Sequence, residues 1–191
     1  HPCAKEQRPK RKEAGERYEA VLAAAPARRD APEGALTAAF AYKQIGDYNK
    51  ANALYNKFIN EYGSNEQLNA LQKGDPKKEI APNKELYDER VKNLALAYDT
   101  LSDTWISFFN YPKAAETNEK IAEIDRFDEA KRRSAARNAM ILYANIGQRD
   151  KMLNEYRVMQ RLHPSATEKA DADYLVASFD YKQWDPKGID S

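Results

Sequence analysis

Apolar residues follow a helical rhythm along most of the chain. Between Leu36 and Tyr62 two such stretches flank one glycine. Leu36, Ala39, Phe40 and Tyr42 recur at spacings near three and four before Gly46, and Ala51, Leu54, Tyr55, Phe58 and Ile59 do so after it. Gly46 can take a left-handed C-cap conformation at no Cβ cost, and Asp47 can then cap the next helix by accepting a backbone N–H. A connection this short predicts an antiparallel helix pair. No run of alternating β-branched residues reads as a strand, so the predicted class is all-α.

The same rhythm continues on both sides. Residues 13–26 form a predicted helix with Ala14, Tyr18, Val21 and Leu22 on one face. Ala14, Tyr18, Val21 and Pro26 each stand 37 residues before Ala51, Tyr55, Phe58 and Gly63. Residues 1–12 are basic through Lys5, Arg8, Lys10, Arg11 and Lys12, and Pro9 argues against a helix there, so a solvated tail is expected. Asp30, Pro32 and Glu33 predict a capped helix start for the hairpin over residues 32–63. Residues 64–83 break the rhythm and read as an insertion: a short helix from Asn65 to Lys73 through Leu68 and Leu71, then a turn at Gly74-Asp75-Pro76.

Residues 84–125 predict a long helix from Lys84 to Phe109, a turn at Asn110-Tyr111-Pro112 capped by Asn110, and a returning helix to Asp125. Tyr98 and Tyr111 are thirteen residues apart, against six for Tyr42 and Tyr48, an excess close to two helical turns. Trp105, Phe108 and Phe109 sit on this extension and are expected to pack on an equally long partner helix or a neighbouring hairpin. Over residues 129–164, Ala136, Ala139, Met140 and Tyr143 mark one helix, Gly147 turns the chain, Met152, Tyr156 and Met159 mark the next, and Pro164 ends it. Gln148 and Arg149 replace the Asp-Tyr pair, so this turn should be less well capped. In residues 165–191 a Ser165/Glu168 capping box opens a helix carrying Ala172, Leu175, Val176 and Phe179.

The set Ala39, Tyr42, Gly46-Asp47-Tyr48, Ala51 and Tyr55 resembles the tetratricopeptide repeat, with departures at Phe58, where a small residue is usual, and at Gly63, where proline is usual. The resemblance implies a right-handed α-solenoid of antiparallel helix hairpins. Residues 13–191 would form one array that starts and stops in mid-repeat, as a fragment of a larger multi-repeat protein. Similar arrays occur in bacterial envelope-assembly proteins and in gliding-motility scaffolds, which implies a periplasmic or envelope setting. In such arrays the first helix of each hairpin lines a concave groove that binds a peptide or partner protein. On this sequence the groove face comprises Phe40, Lys43 and Gln44, then Lys92, Asn93 and Leu96, then Arg137, Asn138, Ile141 and Asn145. Leu36 and Phe40 stand where a clamp for an acidic C-terminus would need Lys and Asn, which argues against that ligand. Tyr18, Val21 and Leu22 at one end, and Tyr174, Leu175, Val176, Phe179 and Trp184 at the other, would lack a covering helix. They imply end-to-end self-association or packing on missing repeats.

Composition narrows the chemistry. With 31 Lys and Arg against 30 Asp and Glu, no global field points at nucleic acid or an anionic surface. No aromatics interleave the basic N-terminal residues, so base stacking has no platform and no nucleic-acid partner is expected. Cys3 is the only cysteine, which excludes an internal disulfide and a structural thiolate zinc site. No apolar run is long enough to span a membrane, so no membrane insertion is expected. His1 and His163 are the only histidines, and no Gly-rich phosphate loop is present; no cofactor and no enzymatic activity are expected. A second function class stays open: a regulatory or sensor domain binding a small ligand in an enclosed pocket lined by Trp105 and Phe108.

Overall fold

In the computed structural model, which describes residues 2–183 and side chains from residue 7 to residue 182, the central hairpin forms as its periodicity predicts. Helix α2, Ala31–Gln44, leads through Ile45 and Gly46 into α3, Tyr48–Lys57. Gly46 has φ +80°, the left-handed conformation that glycine adopts without strain. Asp47 accepts from the Lys50 N–H at 3.2 Å, closing the N-terminus of α3. Ala35, Ala38, Ala39 and Tyr42 are buried on α2, and Ala51, Leu54 and Tyr55 on α3. Small residues at the crossing let the two backbones approach closely.

Secondary structure among the described residues is helical apart from one isolated bridge. The remaining α-helices are α1, Pro2–Ala24; α4, Asn65–Lys73; α5, Lys84–Ser107; α6, Tyr111–Glu123; α7, Glu129–Asn145; α8, Arg149–Arg161; and α9, Ala166–Gln183. Helix α2 packs on α1 and α3, α7 on α6 and α8, and α9 on α7 and α8, and the chain divides into two compact units, His1–Thr104 and Trp105–Ser191. No helix is long and apolar enough to cross a membrane among the described residues.

In the first unit, α1 corrects the expectation of a tail over residues 1–12. The helix begins at Pro2 and continues through Pro9. A proline inside a helix costs about 3 kcal/mol, and packing on α2 offsets it. Arg11 donates to the Gln44 side chain at 3.0 Å, the Tyr42 ring lies against Gly15, and the Tyr42 hydroxyl donates to the Glu19 carboxylate. These contacts also rotate α1. Gly15 and Leu22 face inward, Ala14 is half-buried, and Tyr18 and Val21 face solvent. Asp30 does not cap α2; its carboxylate is taken by a bidentate pair with Arg28 at 2.8 and 2.9 Å.

After α3 the chain widens into a π-helical turn, Phe58–Tyr62, ending at Gly63, whose N–H donates to the Phe58 carbonyl at 2.9 Å. Gly63 is required for space rather than for a left-handed turn: a Cβ there would lie 2.5 Å from Leu94 Cδ1. The insertion folds as α4 over its predicted span, followed by a 3-10 turn at Pro76–Lys78. Asp75 and Ile80 exchange both backbone hydrogen bonds, and Lys78 pairs with Glu66 at 2.6 Å.

Within α5 the buried line runs through Arg90, Leu94, Ala97, Leu101 and Thr104. Ala95 and Tyr98 are half-buried. The close approach of Leu94 to Gly63, and the Arg90 guanidinium donating to the Tyr62 carbonyl at 3.1 Å, set this rotation.

In the second unit, side-chain contacts among α6, α7 and α8 correspond to contacts among α1, α2 and α3. The Tyr143 hydroxyl donates to the Glu119 carboxylate as Tyr42 does to Glu19. Lys151 lies 5.1 Å from the Tyr143 ring centre, as Lys50 lies 4.6 Å from that of Tyr42. Gly147, with φ +73°, stands 101 residues after Gly46, the same interval as between the two tyrosines. Asn110 caps α6, the Ser165/Glu168 box closes as expected, and Gln148 makes no side-chain cap.

One position departs from this likeness. Leu54 in α3 corresponds to Glu155 in α8, a carboxyl only 2% exposed whose Oε2 has no hydrogen-bond partner. Burial, with the nearby carboxylates of Glu119 and Glu123, pushes it up to about 7, against the opposing charge of Arg161. Of the residues expected to lie bare on α9, Tyr174 is exposed, Leu175 and Val176 are half-buried, and Phe179 is buried; Trp184 lies outside the described residues. Packing of α9 on α7 and α8 accounts for Phe179.

Candidate peptide-binding groove

In the first unit, α2 presents Glu33, Leu36, Thr37, Phe40 and Lys43 along one face, the positions that share a side of a 3.6-residue helix. Helix α5 presents Glu89, Asn93, Leu96 and Thr100 at the equivalent spacing. These residues, with Tyr55 of α3, line an open cavity of about 640 Å³. Phe40 and Leu96 are each 56% exposed, although both border this concavity. Two large apolar side chains left wet in one cavity form the least satisfied surface of the unit.

The two walls run in the same direction. Glu33 lies within electrostatic reach of Arg90, so the start of α2 faces the start of α5. Burial lowers the Arg90 pKa, and the carboxylates of Glu89 and Glu33 oppose that shift. Further along, Tyr55 meets Thr100, and burial raises the tyrosine pKa. Glu33 and Glu89 therefore stand at one end, Leu36, Phe40 and Leu96 in the middle, and Lys43 at the other. None of Glu33, Lys43 and Glu89 takes part in an ion pair among the described residues.

Of the face predicted from sequence, Phe40, Lys43, Asn93 and Leu96 come together here. Gln44 does not line the cavity, because its side chain accepts from Arg11. Lys92 is exposed and lies outside the lining, one position round the helix from Asn93. In the second unit Arg137, Asn138 and Asn145 are exposed on α7 and Ile141 is half-buried. Arg137 is already paired with Asp171 at 3.4 Å. Glu33, Glu89 and Thr100 were missed as lining residues. Their spacing from Leu36 and Leu96 would have placed them on the same faces, had the rotation of α5 been known.

The aromatic extension behaves differently from expectation. Helix α6 is 13 residues long against 24 for α5, so no equally long partner exists. Trp105 is half-buried beneath Lys113, whose Nζ lies 4.5 Å from the ring centre. Phe108 is half exposed and Phe109, with φ +56°, is 77% exposed. His163 lies on the surface 3.5 Å from Glu129, and His1 falls outside the described residues. Among the described residues no group of three or more His, Cys, Asp or Glu could hold a metal ion.

No protein-family model matches the chain, and comparison with curated protein sequences gives no match.

Proposed function

We propose that the chain is a protein-binding scaffold, a right-handed solenoid of tetratricopeptide-like hairpins whose groove between α2 and α5 holds a peptide or a segment of a partner protein. The observation that carries this reading is the pair Phe40 and Leu96, both more than half exposed and both bordering the 640 Å³ cavity. With about half of each side chain still wet, roughly 1–1.5 kcal/mol of burial remains unrealised at each, which a docked apolar side chain would recover. The recurrence of the Tyr–Lys pair after 101 residues, with its Glu partner recurring after 100, supports a repeating hairpin. No catalytic role is part of this reading. An envelope or motility setting rests on the tetratricopeptide-like resemblance alone.

A small-molecule sensor is the weaker reading. The cavity volume falls within the range of ligand pockets, about 300–1,000 Å³. A drug-sized ligand needs most of its surface enclosed, however, and here the main apolar walls are themselves over half exposed. A longer occupant covers such walls better.

The test is panning of a random 12-residue peptide display library on the whole chain and on Phe40→Ser/Leu96→Ser. Enrichment by the parent and its loss in the variant, with an unchanged melting midpoint, supports the groove. Anchor residues of this kind are worth about 2 kcal/mol or more each, while exposed substitutions shift stability by no more than about 0.5 kcal/mol. Equal enrichment by parent and variant refutes it.

A further inference from the structure

We infer that this groove selects segments with an ordered charge pattern: a cation at one end, two large apolar residues in the middle and an anion at the other end. The inference rests on the groove being a peptide site. Glu33 and Glu89 come from different helices yet stand together at the start of the groove, because α2 and α5 run the same way. Lys43 stands ten residues further along α2, about 15 Å away at the helical rise. Between them the lining is apolar or neutral: Leu36, Thr37, Phe40, Asn93 and Leu96.

Both ends are electrostatically open. Glu33 and Glu89 feel Arg90, but its guanidinium is buried, donates to the Tyr62 carbonyl and lies over the Phe58 and Tyr62 rings, about a quarter-turn round α5 from the lining. It does not project into the cavity. Lys43 has no carboxylate partner among the described residues. A segment carrying like charges at both ends would set one of them against a groove residue of the same sign. Such juxtaposition discriminates more strongly than the attractive pairs bind. A segment of about ten helical or about five extended residues spans the distance, so the occupant is a short linear stretch of a partner rather than a folded surface.

The same random 12-residue library, panned on three chains, tests the charge order. The parent is expected to enrich sequences in which a Lys or Arg and an Asp or Glu flank an apolar pair. Glu33→Lys/Glu89→Lys should enrich sequences acidic on both sides, and Lys43→Glu should enrich sequences basic on both sides. A peptide selected by the parent should bind either variant roughly tenfold more weakly or worse. All three positions are part-exposed or exposed, and the two variants perturb opposite ends, so misfolding of one leaves the other decisive. Enriched apolar pairs without charge order, unchanged across the three chains, would overturn the inference while leaving the groove intact. Enrichment that survives Phe40→Ser/Leu96→Ser, or no enrichment by the parent, would overturn both.

Discussion

Glu155 should make the second unit less stable as the medium becomes neutral. Its carboxyl is 2% exposed on α8, with one oxygen unpartnered. Glu119 and Glu123 face it from α6, Arg161 from its own helix, and Tyr143 from α7 is already bonded to Glu119. Its folded-state pKa is pushed up to about 7, from an ordinary value of 4.5. The folded state therefore holds this proton more tightly than the unfolded chain. Below the ordinary value both states are protonated and the group contributes fully; its contribution falls as pH rises through about 7. The shift corresponds to about 3 kcal/mol, each pKa unit being worth close to 1.4 kcal/mol. Replacing the residue by leucine, the residue at the corresponding place in α3, should remove that loss. Melting followed by circular dichroism at about pH 5 and about pH 8 reads the difference. The midpoint of the parent should fall by roughly 5–10 °C more than that of Glu155→Leu, at a few degrees per kcal/mol. Glu155→Gln should also abolish the slope, although its buried amide lowers stability at both pH values. Parallel pH profiles for parent and both variants would refute the reasoning, since no proton would then be linked to folding at this position.

Gly63→Ala should destabilise the first unit by about 1–3 kcal/mol through overpacking against Leu94; a urea midpoint equal to the parent's would show that the two segments do not approach so closely. Gly46→Ala meets no neighbour, so any loss there reflects the left-handed backbone alone, of the order of 1 kcal/mol. Tyr42→Phe and Tyr143→Phe each remove a hydroxyl bonded to a carboxylate and should cost about 1.5–3 kcal/mol apiece in denaturant unfolding. If the two hairpins are equivalent, the two losses agree to within that range.

The local elements were legible because their signals lie within one helical turn. Asp47 and Asn110 each accept a backbone N–H three residues on, Ser165 and Glu168 satisfy one another's donors, and α4 spans its apolar pair with Ser64 before it and Gly74 after it. Gly46 and Gly147 turn the chain where the two helical periods are interrupted. In each case the deciding interaction is between residues already close along the chain.

Rotation of a helix about its axis is a different matter. Each residue advances the face by about 100°, so moving the inward line of α1 from Ala14 to Gly15 exposes Val21 and Tyr18, and no local bond decides between the two. The fit of Gly15 beneath Tyr42 decides it, and Leu94 against Gly63 does the same for α5. That second rotation is what brings Glu89, Asn93 and Leu96 opposite Leu36 and Phe40. The sequence by itself determined an all-helical chain, its turns, its caps and four of the residues that meet in the groove. Only the tertiary structure decided that Pro9 lies within a helix, that Phe109 faces solvent, that Glu155 is buried beside two carboxylates and that Gln44 is spent on Arg11. Each of these depends on what a neighbouring helix places opposite the residue, and that neighbour is tens of residues away in the chain.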